Sequence, residues 1–214
     1  MDFEELSLAV QKGKAKLVKE LVNQGIEEGI SVEKLLNEGL IDAMGIVGEN
    51  FKQNKIYVPE MLVAARAMSA GLAILEPLLT ETGVKPIGKI VIGTVKGDLH
   101  DIGKNLVAMM MKGMGATVYD LGIDVPDIAF VEKAEEVNAD IICISALLTT
   151  TMPAIGDVIK EFEKAGVRNK YHIMVGGAPV NQAFANSIGA DAYSSNASEA
   201  AELAKAYLTG LYSK

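Results

Sequence analysis

Two patterns divide the 214 residues. Up to about residue 79 the apolar side chains recur at helical spacing with almost no β signal; from residue 89 onward short apolar runs alternate with helical segments five times. Together they predict an α/β protein, with an N-terminal four-helix bundle followed by a flavodoxin-like (Rossmann-type), doubly wound, five-stranded parallel sheet. The expected units are 1–79 for the helical part, 80–88 for a linker and 89–214 for the α/β domain.

In the helical part, residues 3–12 and 14–27 read as two short helices. Ser31 is placed to cap a third, on which Leu36, Leu40, Met44, Val47 and Phe51 share one face. Met61, Ala65, Met68, Leu72, Leu75 and Leu79, spaced 4, 3, 4, 3, 4, form the seam of a fourth, with Pro59 in its first turn. The segment 80–88 interrupts the pattern with two glycines and a proline, which marks a boundary and a hinge.

In the α/β part, strands are expected at 89–95, 116–121, 140–147, 171–175 and 191–193. Helices are expected at 102–113, 128–137, 153–164, 181–188 and 198–208. Strands this uniformly apolar belong in a parallel sheet covered on both faces and joined by right-handed crossovers.

The net charge of −8 and the absence of a basic run argue against nucleic acid or an anionic membrane as partner. No run of eighteen apolar residues is present, and Met1-Asp2-Phe3-Glu4-Glu5 is acidic where a signal peptide is basic, so the expected location is the cytoplasm. Cys143, the single cysteine, sits in an apolar run and reads as a small core residue.

The stretch with chemical content is Gly97-Asp98-Leu99-His100-Asp101-Ile102-Gly103, at the first strand-to-helix corner, on the sheet edge where open α/β folds bind ligands. Each residue has a plain role: Gly97 turning the chain, Asp101 capping a helix, Gly103 allowing close packing, His100 facing water. The chemical reading is an imidazole that binds a metal through one nitrogen while the other donates to a carboxylate, for which Asp98 is the natural partner. Only His172 and Cys143 add other metal-type side chains, whereas a bare zinc site wants three or four ligands. One imidazole suffices when a cofactor brings the remaining coordination, as haem or a corrin ring does.

Asp98, His100 and Gly103 stand as in the Asp-X-His-X-X-Gly signature of cobalamin-binding proteins. The rest of that signature is present: Ser145 and Leu147 follow after 41 residues (104–144), and Gly176 and Gly177 after a further 28 (148–175). With the bundle in front, nearly the whole chain resembles the corrinoid proteins paired with methylamine, methanol or betaine methyltransferases, and the cobalamin-binding module of methionine synthase.

The resemblance implies cobalamin or a related corrinoid, its cobalt passing between methylcob(III)alamin and cob(I)alamin. His100 is then the lower metal ligand and Asp98 its partner, the two carrying the catalytic role. Gly97, Leu99, Asp101, Ile102 and Gly103 line the cofactor with them. The nucleotide tail, detached from cobalt, lies along the sheet; Gly176 and Gly177 let backbone approach it, Ser145 and Thr149 offer hydroxyls and Leu147 an apolar contact. By the same analogy the bundle caps the upper ring face, with Met44, Tyr57, Met61 and Leu62 as candidate contacts.

The implied function is carriage of a methyl group, by a subunit not catalytic alone, from a substrate:corrinoid methyltransferase to a methylcorrinoid:tetrahydrofolate or coenzyme M methyltransferase. A reductive activation protein completes the partners, and the setting is one-carbon metabolism of the methanogenic or acetogenic kind. Rival folds fit less well: no Gly-X-Gly-X-X-Gly opens the first α/β helix, and the first strand ends in Thr94-Val95-Lys96-Gly97 rather than in the acidic cluster of a receiver domain. Rival functions are a cobalamin storage or regulatory module and the small subunit of an adenosylcobalamin mutase. The bundle speaks against the mutase, and the absence of tryptophan and of a DNA-binding segment speaks against a light-sensing regulator.

Overall fold

Asp2 starts the first helix, α1 (Phe3–Gln11), by accepting a hydrogen bond from the Glu4 backbone N–H at 2.8 Å. Leu6, Ala9 and Val10 turn inward from α1, and Val18, Leu21 and Val22 from α2 (Ala15–Glu27). Ser31 caps the third helical stretch as expected, its hydroxyl accepting from the Lys34 N–H. That stretch is not one regular helix. A short α3 (Val32–Lys34) passes into a π-helical segment, Leu35–Ile41, before α4 (Asp42–Lys52) resumes α geometry. The wider turn changes the buried face: Leu35 and Leu40, five apart, are fully buried, while Leu36, expected on that face, is only partly so.

The fourth long helix, α5 (Val58–Thr82), carries Pro59 in its first turn and has its start braced by the Glu60 carboxylate, which accepts from the Tyr57 N–H at 3.1 Å. It ends three residues later than the seam predicts, because a helix with an established ladder propagates through polar residues that leave no apolar periodicity. Met61, Ala65, Met68 and Leu75 are buried as expected; Leu72 and Leu79 are only partly buried. Ala64, Ala67 and Gly71 make a second buried row, since α2 comes so close that a Cβ on Gly71 would lie 2.9 Å from Val18 Cγ1. The span Val58–Leu79 is long and apolar enough to cross a membrane by length and composition. A third of its apolar window is buried inside the protein.

This computed structural model describes residues 1–82 and 85–211, with backbone alone for 80–82. Of the expected linker, 80–82 continue α5, while Gly83 and Val84 lie outside the described residues. The chain divides into two units, one of Met1–Pro86 with Gly113–Gly115 and the other of the remaining residues.

The second unit is the expected parallel sheet. Its strands are β1 (Lys89–Thr94), β2 (Thr117–Asp120), β3 (Ile141–Ser145), β4 (His172–Gly176) and β5 (Ala192–Tyr193), in the order β2-β1-β3-β4-β5. The helices between and after them are α6 (Ile102–Gly113), α7 (Asp127–Val137), α8 (Pro153–Lys164), α9 (Gln182–Ser187) and α10 (Ala197–Leu208). Val91, Ile142, Ile144 and Ile173 pack with Phe130, Ile155 and Phe162 in one core cluster. Ile90, Ile92, Ile141 and Cys143, which alternate with them along the strands, are buried too, and Cys143 Sγ lies 3.8 Å from Met111 Sδ of α6. Burial pushes the Cys143 thiol up to about 12, which suits an inert core side chain. β3 is shorter than expected: it stops at Ser145, so Leu147 lies in the loop beyond it.

Candidate functional site

In this strand order the chain moves outward from β1 to β2 and returns on the other side to β3, so β1 and β3 flank the point where the winding reverses. Loops leaving the carboxyl ends of such a pair diverge and open a crevice. Register fixes which residues meet there: Thr94, Ser145 and Gly176 stand level across β1, β3 and β4. The three sequence motifs therefore leave the sheet side by side, Asp98–Gly103 after β1, Leu147 after β3 and Gly177 after β4.

At the centre is a buried carboxylate. Asp98 is wholly inaccessible. Its Oδ1 accepts the His100 backbone N–H at 3.0 Å and faces His100 Nδ1 at 2.8 Å. Its Oδ2 accepts the Leu147 N–H at 2.8 Å, the Leu148 N–H at 3.4 Å and the Thr151 hydroxyl at 2.6 Å. Burial alone pushes this carboxyl up, but the bonds from Thr151, Leu147 and His100 outweigh it and hold it well below the ordinary carboxylate range. A charged Asp98 takes the proton-bearing Nδ1 of the imidazole, which leaves Nε2 as the free donor nitrogen. The His100 side chain is 49% exposed, so that nitrogen is accessible.

The surroundings are apolar. Leu99 and Ile102 are 68% and 78% exposed, and Leu147 and Leu148 are exposed beyond β3. Among the described residues no three His, Cys, Asp or Glu side chains converge to hold a metal ion. His172 begins β4, at the opposite end of the strand from the site, and stacks on Tyr207 with ring centroids 4.1 Å apart.

The glycines fall into two kinds. Gly177 has φ +127°, and a Cβ there would sit 1.8 Å from the Ala146 carbonyl oxygen, so the fold itself excludes any side chain. Gly97, at φ +81°, makes the tight turn. Gly103 has no such internal reason: a Cβ would meet nothing within 4 Å, and at Gly176 it would make only an ordinary 3.4 Å contact with the Ser194 carbonyl oxygen. Bare backbone facing open space, one outward imidazole nitrogen and a fringe of exposed leucine and isoleucine fit a large, partly apolar group that carries its own metal.

Other expected residues fall as follows. Asp101 precedes α6, where its backbone carbonyl accepts the Asn105 N–H and its carboxylate the Asn105 side-chain amide. Ser145 ends β3, half-buried and in register with Gly176. Thr149, expected to bring a hydroxyl to the site, is exposed in the turn; the hydroxyl that reaches Asp98 is that of Thr151. In a run of three threonines the chain alone does not say which one points inward. In the helical unit Met44 and Met61 are buried, Leu62 is half-buried and Tyr57 is exposed. Sequence reasoning also passed over Thr94, fully buried, whose hydroxyl donates to the His100 carbonyl at 2.9 Å and ties the loop to the end of β1.

Fold and site define a class: a parallel α/β domain that presents one imidazole, oriented by a buried carboxylate, at the carboxyl edge of its sheet. Comparison with known proteins agrees. Residues 88–204 match the B12 binding domain model, and residues 2–76 match a second model, also described as a B12 binding domain. The chain is 46% identical over 211 residues to dimethylamine corrinoid protein 2 of Methanosarcina acetivorans, covering 97% of this chain and 96% of that one. Among solved structures it is similar to the methanol:cobalamin methyltransferase complex MtaBC of Methanosarcina barkeri, with TM-score 0.88 and 29% identity over 97% of this chain and 80% of that one. A cobalamin-binding protein of Desulfitobacterium hafniense superposes with TM-score 0.75 at 30% identity, covering 96% of this chain and 98% of that one. The chain belongs to the corrinoid proteins of the B12-binding family.

Proposed function

We propose that this chain is the methyl-carrying corrinoid protein of a methylamine-type methyltransferase system, loaded by a substrate:corrinoid methyltransferase acting on dimethylamine. The observation that carries the reading is the relay from Thr151 and Leu147 through Asp98 to His100, which ends in an accessible Nε2 at the carboxyl edge of β1. The donor follows from the likeness to dimethylamine corrinoid proteins. A methylcorrinoid:coenzyme M or tetrahydrofolate methyltransferase unloads the chain, and a reductive activation protein restores it after oxidation. The system works in the cytoplasm.

When bound, the corrinoid supplies a cobalt centre able to accept and release a methyl group. His100 Nε2 is the atom that would hold that metal. Asp98 holds the proton on Nδ1 and so leaves Nε2 as the nitrogen that would hold the metal. Gly97, Leu99, Asp101, Ile102 and Gly103 would hold the ring of the corrinoid, and Ser145, Leu147, Gly176 and Gly177 its nucleotide tail. The helical residues 1–79 would serve the corrinoid as its cap, with exposed Tyr57 and half-buried Leu62 as ready contacts and the buried Met44 and Met61 as further candidates.

The test is reconstitution of the purified chain with hydroxocobalamin, read by its visible spectrum beside His100→Ala. Histidine ligation in the wild type that disappears in the variant is expected; identical spectra refute the assignment. Methylation of the reduced protein by a dimethylamine-specific but not a methanol-specific methyltransferase is expected, and the reverse preference overturns the donor.

A further inference from the structure

The turn that carries Asp98 is gripped from outside by a residue in none of the motifs. After β2 the chain continues alongside and parallel to the end of β1: the Thr94 N–H donates to the Gly122 carbonyl and the Val125 N–H to the Thr94 carbonyl, each at 3.0 Å, and Val95 bridges Val125. Between these points the backbone bulges at Asp124, which adopts φ +51°, a conformation other side chains tolerate less well than Asp and Asn do.

The bulge aims both polar ends of Asp124 at the turn. Its backbone N–H donates to the Asp98 carbonyl at 3.0 Å, and its Oδ1 accepts the Gly97 N–H at 2.7 Å. The bulge is itself braced: Asp120 Oδ1 accepts the Gly122 N–H at 2.8 Å, and the buried Lys104 ammonium, one residue after Gly103, pairs with the Asp120 carboxylate.

We propose that Asp124 is a positioning residue for the cobalt ligand, a two-point clamp that grips the turn before Gly97 and after Asp98 and through it sets the direction of His100 Nε2. Asp98 is then held on two sides. Leu147 and Thr151 fix its carboxylate, and Asp124 fixes its main chain. Asp124 adds to the main-chain bonds from the Asp98 N–H to the Val95 carbonyl and from the Thr94 hydroxyl to the His100 carbonyl, and limits the rocking about side-chain torsions that a carboxylate fixed at its oxygens still allows. A strained, non-glycine φ at the gripping residue fits backbone geometry retained for position at a functional site.

The inference rests on the reading of His100 as the cobalt ligand, so the experiment pairs a readout that needs no cofactor with one that does. Asp124→Gly keeps the bulge conformation and removes the acceptor, Asp124→Asn keeps an acceptor oxygen and the φ preference, and Asp124→Ala removes the acceptor and disfavours the bulge. In the cofactor-free protein, exchange of the Gly97 amide is expected to rise on the order of tenfold in Asp124→Gly, more in Asp124→Ala and little in Asp124→Asn, as for loss of one hydrogen bond to a charged acceptor. After reconstitution with hydroxocobalamin, the histidine-ligated fraction is expected to fall in the same order while total corrinoid bound is kept.

Unchanged Gly97 exchange in Asp124→Gly overturns the clamp. Faster exchange with undiminished histidine ligation overturns its role in positioning. A wild type without histidine ligation overturns the reading of His100, and this inference with it, and is told apart because the variants' exchange rates still report the clamp.

Discussion

Thr151 donates its hydroxyl to Asp98 Oδ2 at 2.6 Å across 53 residues of sequence, and the same carboxylate faces His100 Nδ1 through its other oxygen. The three residues therefore form a relay whose far end sits on the loop after β3. In the proposed role of His100, ligand strength depends on how firmly that loop holds Asp98.

Replacing Thr151 tests that dependence. Thr151→Val keeps the shape and removes the donor, so Asp98 loses its shortest hydrogen bond; a cost of about 1–3 kcal/mol in stability is expected, with a smaller histidine-ligated fraction after reconstitution. Thr151→Ser restores both. Chemical unfolding and the visible spectrum read the two effects, and a Val variant with wild-type ligation refutes the relay.

His100→Ala separates binding from transfer. The cofactor retains the glycine-lined path and the apolar fringe, so affinity is expected to fall less than the methyl-transfer rate, which drops ~10-fold or more when the axial donor is lost. Equilibrium binding of hydroxocobalamin and single-turnover methylation give the two numbers. Equal losses would place His100 in binding alone.

The two kinds of glycine predict opposite outcomes. Gly177→Ala drives a Cβ into the Ala146 carbonyl at a φ of +127° and is expected to cost about 3 kcal/mol or more, with or without cofactor. Gly103→Leu meets open space near the start of α6, so stability is expected to hold or rise by up to about 1 kcal/mol. Corrinoid affinity in that variant is expected to fall about tenfold or more, the scale on which a filled pocket rejects added methylenes. Thermal unfolding and spectral titration of both variants decide the matter; undiminished binding by Gly103→Leu would remove this glycine from the site.

Acid sensitivity is expected at the other end of the sheet. Burial pushes the Asp191 carboxyl up, but the Ile173 N–H at 2.9 Å and the Arg168 guanidinium at 2.9 Å more than offset it and lower its pKa. A carboxyl lowered on folding stabilises fully above its unfolded value, near 3.8, and loses that contribution as pH falls through the folded value. Asp191→Asn is therefore expected to cost about 2 kcal/mol at pH ~7 and progressively less below pH ~4. Urea unfolding across that range checks it, and a penalty independent of pH refutes it.

Much of this was legible in the chain because it is local or periodic. Apolar runs recurring between helical segments require a covered parallel sheet, and the spacing of Asp98-X-His100-X-X-Gly103, Ser145-X-Leu147 and Gly176-Gly177 assigns each motif to a strand's carboxyl end. Local signals also placed Ser31 and Pro59 at their helix starts. Tertiary structure alone decided what depends on side-chain direction and on partners far away in sequence. Periodicity of 3.6 does not reveal the π turn at Leu35–Ile41, since a buried pair five apart is also compatible with an irregular helix. Three consecutive threonines look alike until a loop turns Thr151 toward Asp98 and leaves Thr149 exposed. The grips of Thr94 and Asp124 on the His100 loop arise only when β1 and the chain leaving β2 run side by side. Sequence determined which chemistry is present and on which edge it gathers, because backbone periodicity and motif spacing are properties of the chain itself. The aim of the imidazole was decided by the fold, because orientation is set by hydrogen bonds between residues that only folding brings within 3 Å.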